Sequence, residues 1–157
     1  MDLVHVGATA LHLLATVAMV GYYALLGRVV LPVLRRFVPA KELGESIAAV
    51  ERHALPVLIA SLAIFLATGV YLMGIDPAYG GLGKVTGSNW ATLLLVKHAV
   101  VAVMVGVGVY LDALIMRRPP AEAEGQAPPM RRIEVAVGVM TALGVLVLLL
   151  TAAAQVG

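Results

Sequence analysis

The sequence contains no cysteine, and only 13% of its residues are charged. Without thiols, disulfides, iron–sulfur clusters and thiolate zinc sites are all excluded. No nucleophile triad, phosphate-binding loop or HExxH pattern occurs either, so the sequence does not support soluble-type hydrolysis or nucleotide chemistry. By contrast, 61% of the 157 residues are hydrophobic, and the mean hydropathy is +0.98. A soluble fold cannot cover that much apolar side chain, so the composition predicts an integral membrane protein.

Four apolar stretches are long enough to cross a bilayer, which takes about 20 residues. They cover residues 3–34, 54–75, 90–116 and 133–156. A short amphipathic helix over residues 41–52 is expected to lead into the second stretch, with a bend at Pro56. The first stretch is too long for a cleaved signal peptide and lacks a basic start, so we expect it to be retained. The sequence therefore predicts an all-α fold, a single four-helix transmembrane bundle over residues 1–157.

The basic residues are distributed unevenly between the connections. Nine of the eleven lysines and arginines fall near the first and third connections, and the second connection contains only Lys84. Basic residues are retained on the cytoplasmic side of a membrane, so both termini are predicted to be extracytoplasmic. The net charge of +2 is then a topology signal and does not indicate nucleic-acid binding. We expect a multi-pass protein of the cell (inner or plasma) membrane, with the lipid bilayer as its first partner.

The first span carries a polar stripe on an otherwise aliphatic helix. Its members are spaced by three or four residues and so share one face: His5, Thr9, His12, Thr16, Met19 and Tyr23. Such a face must point into the bundle, since lipid cannot satisfy polar groups. The third span carries Lys97 and His98 within an apolar run, and intramembrane ionisable residues are functional candidates.

His12 and His98 are predicted to lie at matching depth. At 1.5 Å per residue, they are about 13 and 12 Å inside the outer ends of their spans. Two imidazoles at one level on packed helices are the arrangement that a b-type haem requires. We therefore predict haem b with His12 and His98 as axial ligands. Thr9 and Thr16 are expected to support His12, and Lys97 either to pair with a haem propionate or to extend its ammonium group to the outer membrane surface.

Other interpretations of these residues stay open. A membrane histidine can simply form a hydrogen bond across a helix interface, and His5 and His53 are expected to be solvated near the membrane surfaces. Met19 and Met104 are expected to fill space in the apolar core of the bundle. Thioether and imidazole groups together would nevertheless suit Cu(I), so His5 and Met19 are alternative metal ligands and copper is the alternative cofactor.

Several short motifs resemble the CopD-type copper-resistance membrane family. They are Leu11-His12-Leu13-Leu14 with Gly21, Pro32 and Arg35-Arg36 in the first span, Thr68-Gly69-Val70-Tyr71 in the second, and Trp90 with Leu94-Leu95-Val96-Lys97 in the third. This resemblance implies a protein that binds copper for transport or delivery. The related haem-containing protoporphyrinogen oxidases called HemJ share a first-span histidine and a third-span lysine, which would be His12 and Lys97. Their second histidine, later in the third span, falls here on aliphatic residues and glycine.

Four hypotheses follow from the sequence. The first is a small b-type haem protein for electron transfer or haem handling, and the second is a copper-binding transport or delivery protein. The third is a HemJ-like oxidase, and the fourth is a structural subunit of a larger membrane complex. A redox partner, a quinone and a second copy of the chain are further candidate partners. A redox or binding protein is favoured over a stand-alone enzyme.

Overall fold

The computed structural model describes residues 2–76, 89–116 and 130–156, and its secondary structure is helical. The elements are α1 (Leu3–Leu25), a π-helical turn (Leu26–Val30), α2 (Leu31–Phe37), α3 (Ala40–Ile75), α4 (Asn89–Met116) and α5 (Met130–Val156). No strand occurs within these described ranges. The predicted all-α four-helix architecture is confirmed, whereas the side of the membrane on which the termini lie stays a prediction.

Four helices are long and apolar enough to cross a membrane. They are Leu3–Phe37, Ala40–Ile75, Thr92–Met116 and Met130–Ala153. We call the first of them, which joins α1, the π-helical turn and α2, span 1. Large aliphatic side chains lie on the outside of the bundle, such as Leu14, Val70 and Leu149, which are 66%, 65% and 63% exposed. Such an apolar exterior requires lipid as its solvent.

The second span differs from the prediction at its beginning. The expected separate helix over residues 41–52 is the first part of a continuous α3, and Pro56 lies inside this helix. A proline inside a helix removes one backbone hydrogen bond and costs about 3 kcal/mol. Leu43 and Ile47, before the proline, are buried and belong to the main apolar cluster. Their burial holds the first part of α3 against the bundle and offsets that cost.

The helices pack mainly in two pairs, span 1 with α3 and α4 with α5. The most deeply buried side chains join both pairs and are Leu26, Leu31, Ile47, Leu111, Ile133 and Val137. We call this end of the bundle the basic end, because Arg28, Arg35 and Arg36 lie beside the cluster in sequence. The opposite end, where α1 begins and α5 ends, is called the terminal end.

Two glycines bring span 1 and α5 into close contact. A Cβ atom added at Gly27 would lie 2.9 Å from Cγ1 of Val137. A Cβ atom added at Gly144 would lie 2.8 Å from Cγ2 of Val20. Both distances are too short for carbon atoms, so these positions require glycine. In lipid, where helices gain no hydrophobic drive to associate, such close approach is a main source of attraction.

We expect Gly144→Ala to destabilise the bundle by about 1–3 kcal/mol, which is typical of overpacking. Val20 is β-branched and stiff within a helix, so it cannot move aside cheaply. Thermal unfolding of the purified protein in detergent measures the effect. The matched control is Gly106→Ala, where an added Cβ would meet nothing within 4 Å and helix propensity favours alanine. A Gly144→Ala variant as stable as Gly106→Ala would show that the two helices are not held at this contact.

Candidate functional site

His12 is half-buried on α1 and held by residues of α3. Its Nδ1 atom lies 3.1 Å from the backbone oxygen of Phe65 and 3.0 Å from Oγ1 of Thr68. The imidazole stacks on the Phe65 ring with centroids 4.4 Å apart and an interplanar angle of 23°. A Cβ atom at Gly69 would approach Cε1 of His12 to 3.2 Å. Thr68 thus binds the ring and Gly69 leaves room for it.

These partners determine which nitrogen of His12 carries hydrogen. The Phe65 carbonyl oxygen can only accept a hydrogen bond, and the Thr68 hydroxyl donates its own hydrogen to the backbone oxygen of Ile64 at 2.6 Å. Nδ1 must therefore be the donor to both atoms. In a neutral imidazole the other nitrogen, Nε2, then has a free lone pair. No hydrogen bond to Nε2 occurs in the described part of the chain, so Nε2 is available as a metal ligand.

Thr9 and Thr16 do not contact the imidazole through hydrogen bonds. Thr16 donates to the backbone oxygen of His12 at 2.8 Å, and Thr9 donates to that of His5 at 2.9 Å. Each hydroxyl satisfies a carbonyl one turn earlier in its own helix, a common use of threonine inside helices. The side chains that orient His12 come from α3, and analysis of the first span alone could not find them.

His98 is exposed on α4, and its Nδ1 atom bonds the backbone oxygen of Leu94 at 2.7 Å. The adjacent Lys97 is half-buried and lies within electrostatic range of His12. Successive residues on a helix point about 100° apart, so Lys97 and His98 cannot face the same neighbour. The α4 residue near His12 is Lys97, and the structure does not support a haem held between His12 and His98.

The other two histidines lie apart from this region. His5 is exposed near the beginning of α1, and His53 is exposed and bonds the backbone oxygen of Ala49 at 2.8 Å. Among the described residues, no group of three or more His, Cys, Asp or Glu side chains could hold a metal ion. A metal site built only from these residue types is therefore not found in that part of the molecule.

A cavity of about 340 Å³ lies beside His12 and is bounded by all four spans. Its walls are mostly apolar, and Phe65 separates it from the imidazole, since this ring both stacks on His12 and lines the cavity. At its edge Ile59 of α3 and Val105 of α4 are exposed, so the cavity opens sideways toward the membrane. Its interior is accessible without passage through the buried core.

Three methionines line this cavity, and each comes from a different helix. Met19 lies on α1, Met104 on α4 and Met140 on α5. A Cβ atom at Gly108 would lie 3.9 Å from Cε of Met140 and 3.6 Å from the Tyr23 hydroxyl. Gly108 is one turn beyond Met104, and Tyr23 is one turn beyond Met19, so Met140 contacts the bundle about one helical turn from the level of the other two methionines.

Two carboxyl groups occupy the basic end of the cavity. Glu51 of α3 is only 3% exposed, and its Oε2 atom accepts a hydrogen bond of 2.5 Å from the Tyr22 hydroxyl. Asp112 of α4 also lines the cavity and lies within electrostatic range of Glu51. Sequence analysis missed Glu51. Its spacing of four residues from the buried Ile47 was the available signal, because such spacing places both on one helix face.

Comparison with known proteins gives one match. The family CopD, Copper resistance protein D, matches residues 47–154, more than half of the chain. No curated protein and no solved structure matches. The matched residues include Glu51, Lys97 and two of the three cavity methionines, whereas span 1 lies outside them. The resemblance to CopD found in the sequence is confirmed over the last three spans, and the relationship to HemJ stays a prediction.

Proposed function

Because the chain belongs to the CopD family of copper-resistance membrane proteins, we propose that it carries copper(I) through the membrane by way of the methionine-lined cavity. The observation that carries this proposal is the convergence of Met19, Met104 and Met140 from three helices on one cavity. Soft thioether ligands select Cu(I) over harder divalent metals. Neutral sulfur ligands also hold a monovalent ion without the strong binding that would prevent its release.

His12 provides a metal ligand on the terminal side of this cavity. Its Nε2 lone pair is available because Thr68 and the Phe65 carbonyl hold Nδ1 as a donor. Imidazole, like thioether, is a suitable ligand for copper. Because His12 lies on the terminal side, copper that enters from that side would reach Nε2 before the methionines. Met19 follows His12 on the same face by two turns, about 10 Å along the helix. The Phe65 ring lies between the two sites, and its rotation would connect them.

Glu51 and Asp112 lie at the opposite end of the cavity from His12, the basic end. Their carboxylates are hard ligands that bind Cu(I) weakly, but their charge attracts any cation that leaves the methionines. A route from imidazole to thioethers to carboxylates therefore uses His12, the three cavity methionines and the two carboxylates in turn. The haem hypothesis instead requires His98, which is exposed and bonded to its own helix.

Copper binding to the purified protein in detergent tests the proposal. We expect the protein to take up one Cu(I) per chain from a coloured Cu(I) chelator under anaerobic reducing conditions. Zn(II) should not compete, because thioethers are poor ligands for zinc. Failure to withdraw Cu(I) from the chelator would contradict the proposal. A red preparation with a Soret band that disappears in His12→Ala would instead support the haem hypothesis over the copper proposal.

A further inference from the structure

A second concave region lies at the basic end, between span 1 and α5. It has a volume of about 890 Å³ and is separate from the methionine-lined cavity. Arg28, Arg35 and Arg36 of span 1 line it, together with Glu134 of α5. We call this region the arginine groove. Among the described lining residues, three cations and one anion give a net positive charge.

Among the described residues, the ion pair in the groove leaves two arginines without an acidic partner. Arg35 pairs with Glu134 across the two helices. Arg28 and Arg36 are exposed and form no salt bridge with any residue in the described ranges. The guanidinium of Arg36 lies 5.5 Å from the centroid of the Phe37 ring, which restricts its motion, and its N–H groups donate to no acceptor in the described part of the chain. These two guanidiniums are free to bind an anion.

The remaining walls of the groove are apolar and run away from the arginines along α5. Val137 and Leu31 are buried at its floor, and Gly138 leaves the wall open. A Cβ atom added at Gly138 would meet nothing within 4 Å. Among the described lining residues, Thr141 alone carries a hydroxyl group, and this group already donates to the backbone oxygen of Val137 at 3.0 Å. This part of the groove offers no polar group that lacks a partner and is suited to a hydrocarbon chain.

The π-helical turn lies where the arginines of the groove meet its apolar wall. It spans Leu26–Val30 and includes Gly27, where span 1 and α5 are in close contact, and Arg28, which lines the groove. Short π-helical segments are rare and often occur at functional sites. The helices touch at Gly27 and the groove opens beside this contact.

We propose that the arginine groove binds an anionic phospholipid, with the headgroup held by Arg28 and Arg36 and one acyl chain along Gly138. Arginine is the preferred partner of phosphate, because its planar guanidinium donates two parallel hydrogen bonds. Basic pockets between transmembrane helices on the cytoplasmic side are suited to such headgroups, and the predicted topology places the basic end on that side. A bilayer lipid meets both requirements, charge at the end and hydrocarbon along the wall. This site is independent of copper binding.

Native mass spectrometry of the purified protein with added phosphatidylglycerol tests the headgroup contacts. The double variant Arg28→Gln/Arg36→Gln should bind this lipid about 30-fold more weakly, since each arginine near an anionic surface contributes about fivefold. Arg52→Gln is the control, because Arg52 is an exposed arginine of α3 that does not line the groove. Equal binding by the double variant and by the control would overturn the proposal.

Two further comparisons separate a bound lipid from a bound phosphate. Phosphatidylcholine shares the chains and the phosphate but has no net charge, and glycerol phosphate has no chains, so both should bind much more weakly than phosphatidylglycerol. Gly138→Leu fills the apolar wall and should also weaken binding, whereas Gly106→Leu, at another open glycine, should not. Equal retention of phosphatidylcholine, or full retention by Gly138→Leu, would show that no lipid occupies the groove as proposed.

Discussion

Replacement of Met19, Met104 and Met140 together by leucine is expected to weaken Cu(I) binding at least 100-fold without loss of the fold. Leucine and methionine have similar volumes, and such exchanges usually cost less than about 1.5 kcal/mol each. The walls of the cavity therefore remain apolar and filled, but the three thioether ligands are gone. Competition with a Cu(I) chelator measures the affinity, and thermal unfolding in the same detergent verifies the fold.

The chain provides a matched control for this variant. Met73, Met116 and Met130 are half-buried methionines that do not line the cavity. Their joint replacement by leucine changes the same number of thioethers and should leave Cu(I) affinity unchanged. Each single cavity variant should lose part of the affinity, because the remaining two sulfur atoms can still coordinate the ion. If the triple cavity variant binds Cu(I) as tightly as the control, the methionines are packing residues only.

The helical architecture could be predicted from the sequence because long apolar runs have few solutions. In lipid the backbone must satisfy its own hydrogen bonds, so each run of about 20 apolar residues becomes a helix. The same reasoning could not show that α3 continues through Pro56. Continuity depends on burial of Leu43 and Ile47 against other helices, which periodicity within one segment does not reveal.

The depth of a residue could be predicted, but its direction could not. Counting residues from the ends of the spans placed His12 and His98 at one level, and an error of one residue has little effect on that depth. The same error turns a side chain by about 100°. Rotation is set by packing between helices, and α4 gave almost no signal for it because apolar residues surround Lys97 and His98 on all sides. The structure turns Lys97 inward and leaves His98 exposed.

The Thr68-Gly69 motif shows what a resemblance can add and where it stops. Sequence analysis found this motif in α3 as a feature shared with the CopD family, without a physical role. The structure supplies that role, since Thr68 bonds His12 and Gly69 leaves space for the imidazole. The residues that hold His12 are more than 50 positions away in the chain, so no pattern within span 1 could identify them.

The substitution Glu51→Gln is expected to slow copper transport by more than tenfold and to leave Cu(I) binding by the methionines intact. Glutamine has nearly the same shape as glutamate and still offers an oxygen atom to the Tyr22 hydroxyl, so the packing of α3 is preserved. The substitution removes the negative charge of Glu51 and leaves Asp112 in place at the basic end of the cavity. Two unit charges about 8 Å apart interact by about 2 kcal/mol at an effective dielectric constant near 20. Loss of that attraction raises the barrier for a cation that leaves the cavity.

The measurement is the initial rate of Cu(I) entry into vesicles that contain the purified protein and an enclosed Cu(I)-sensitive dye. Glu45→Gln is the control, because Glu45 is an exposed carboxylate on the same helix and its loss changes the net charge equally. Tyr22→Phe removes the 2.5 Å hydrogen bond to Glu51 but keeps the carboxyl group, so it tests the bond without removing the charge. We expect Tyr22→Phe to lower stability, since a buried carboxyl group loses its partner, and to transport copper faster than Glu51→Gln. If Glu51→Gln transports copper as fast as Glu45→Gln, Glu51 serves only to bind Tyr22, and the copper route must leave the cavity elsewhere.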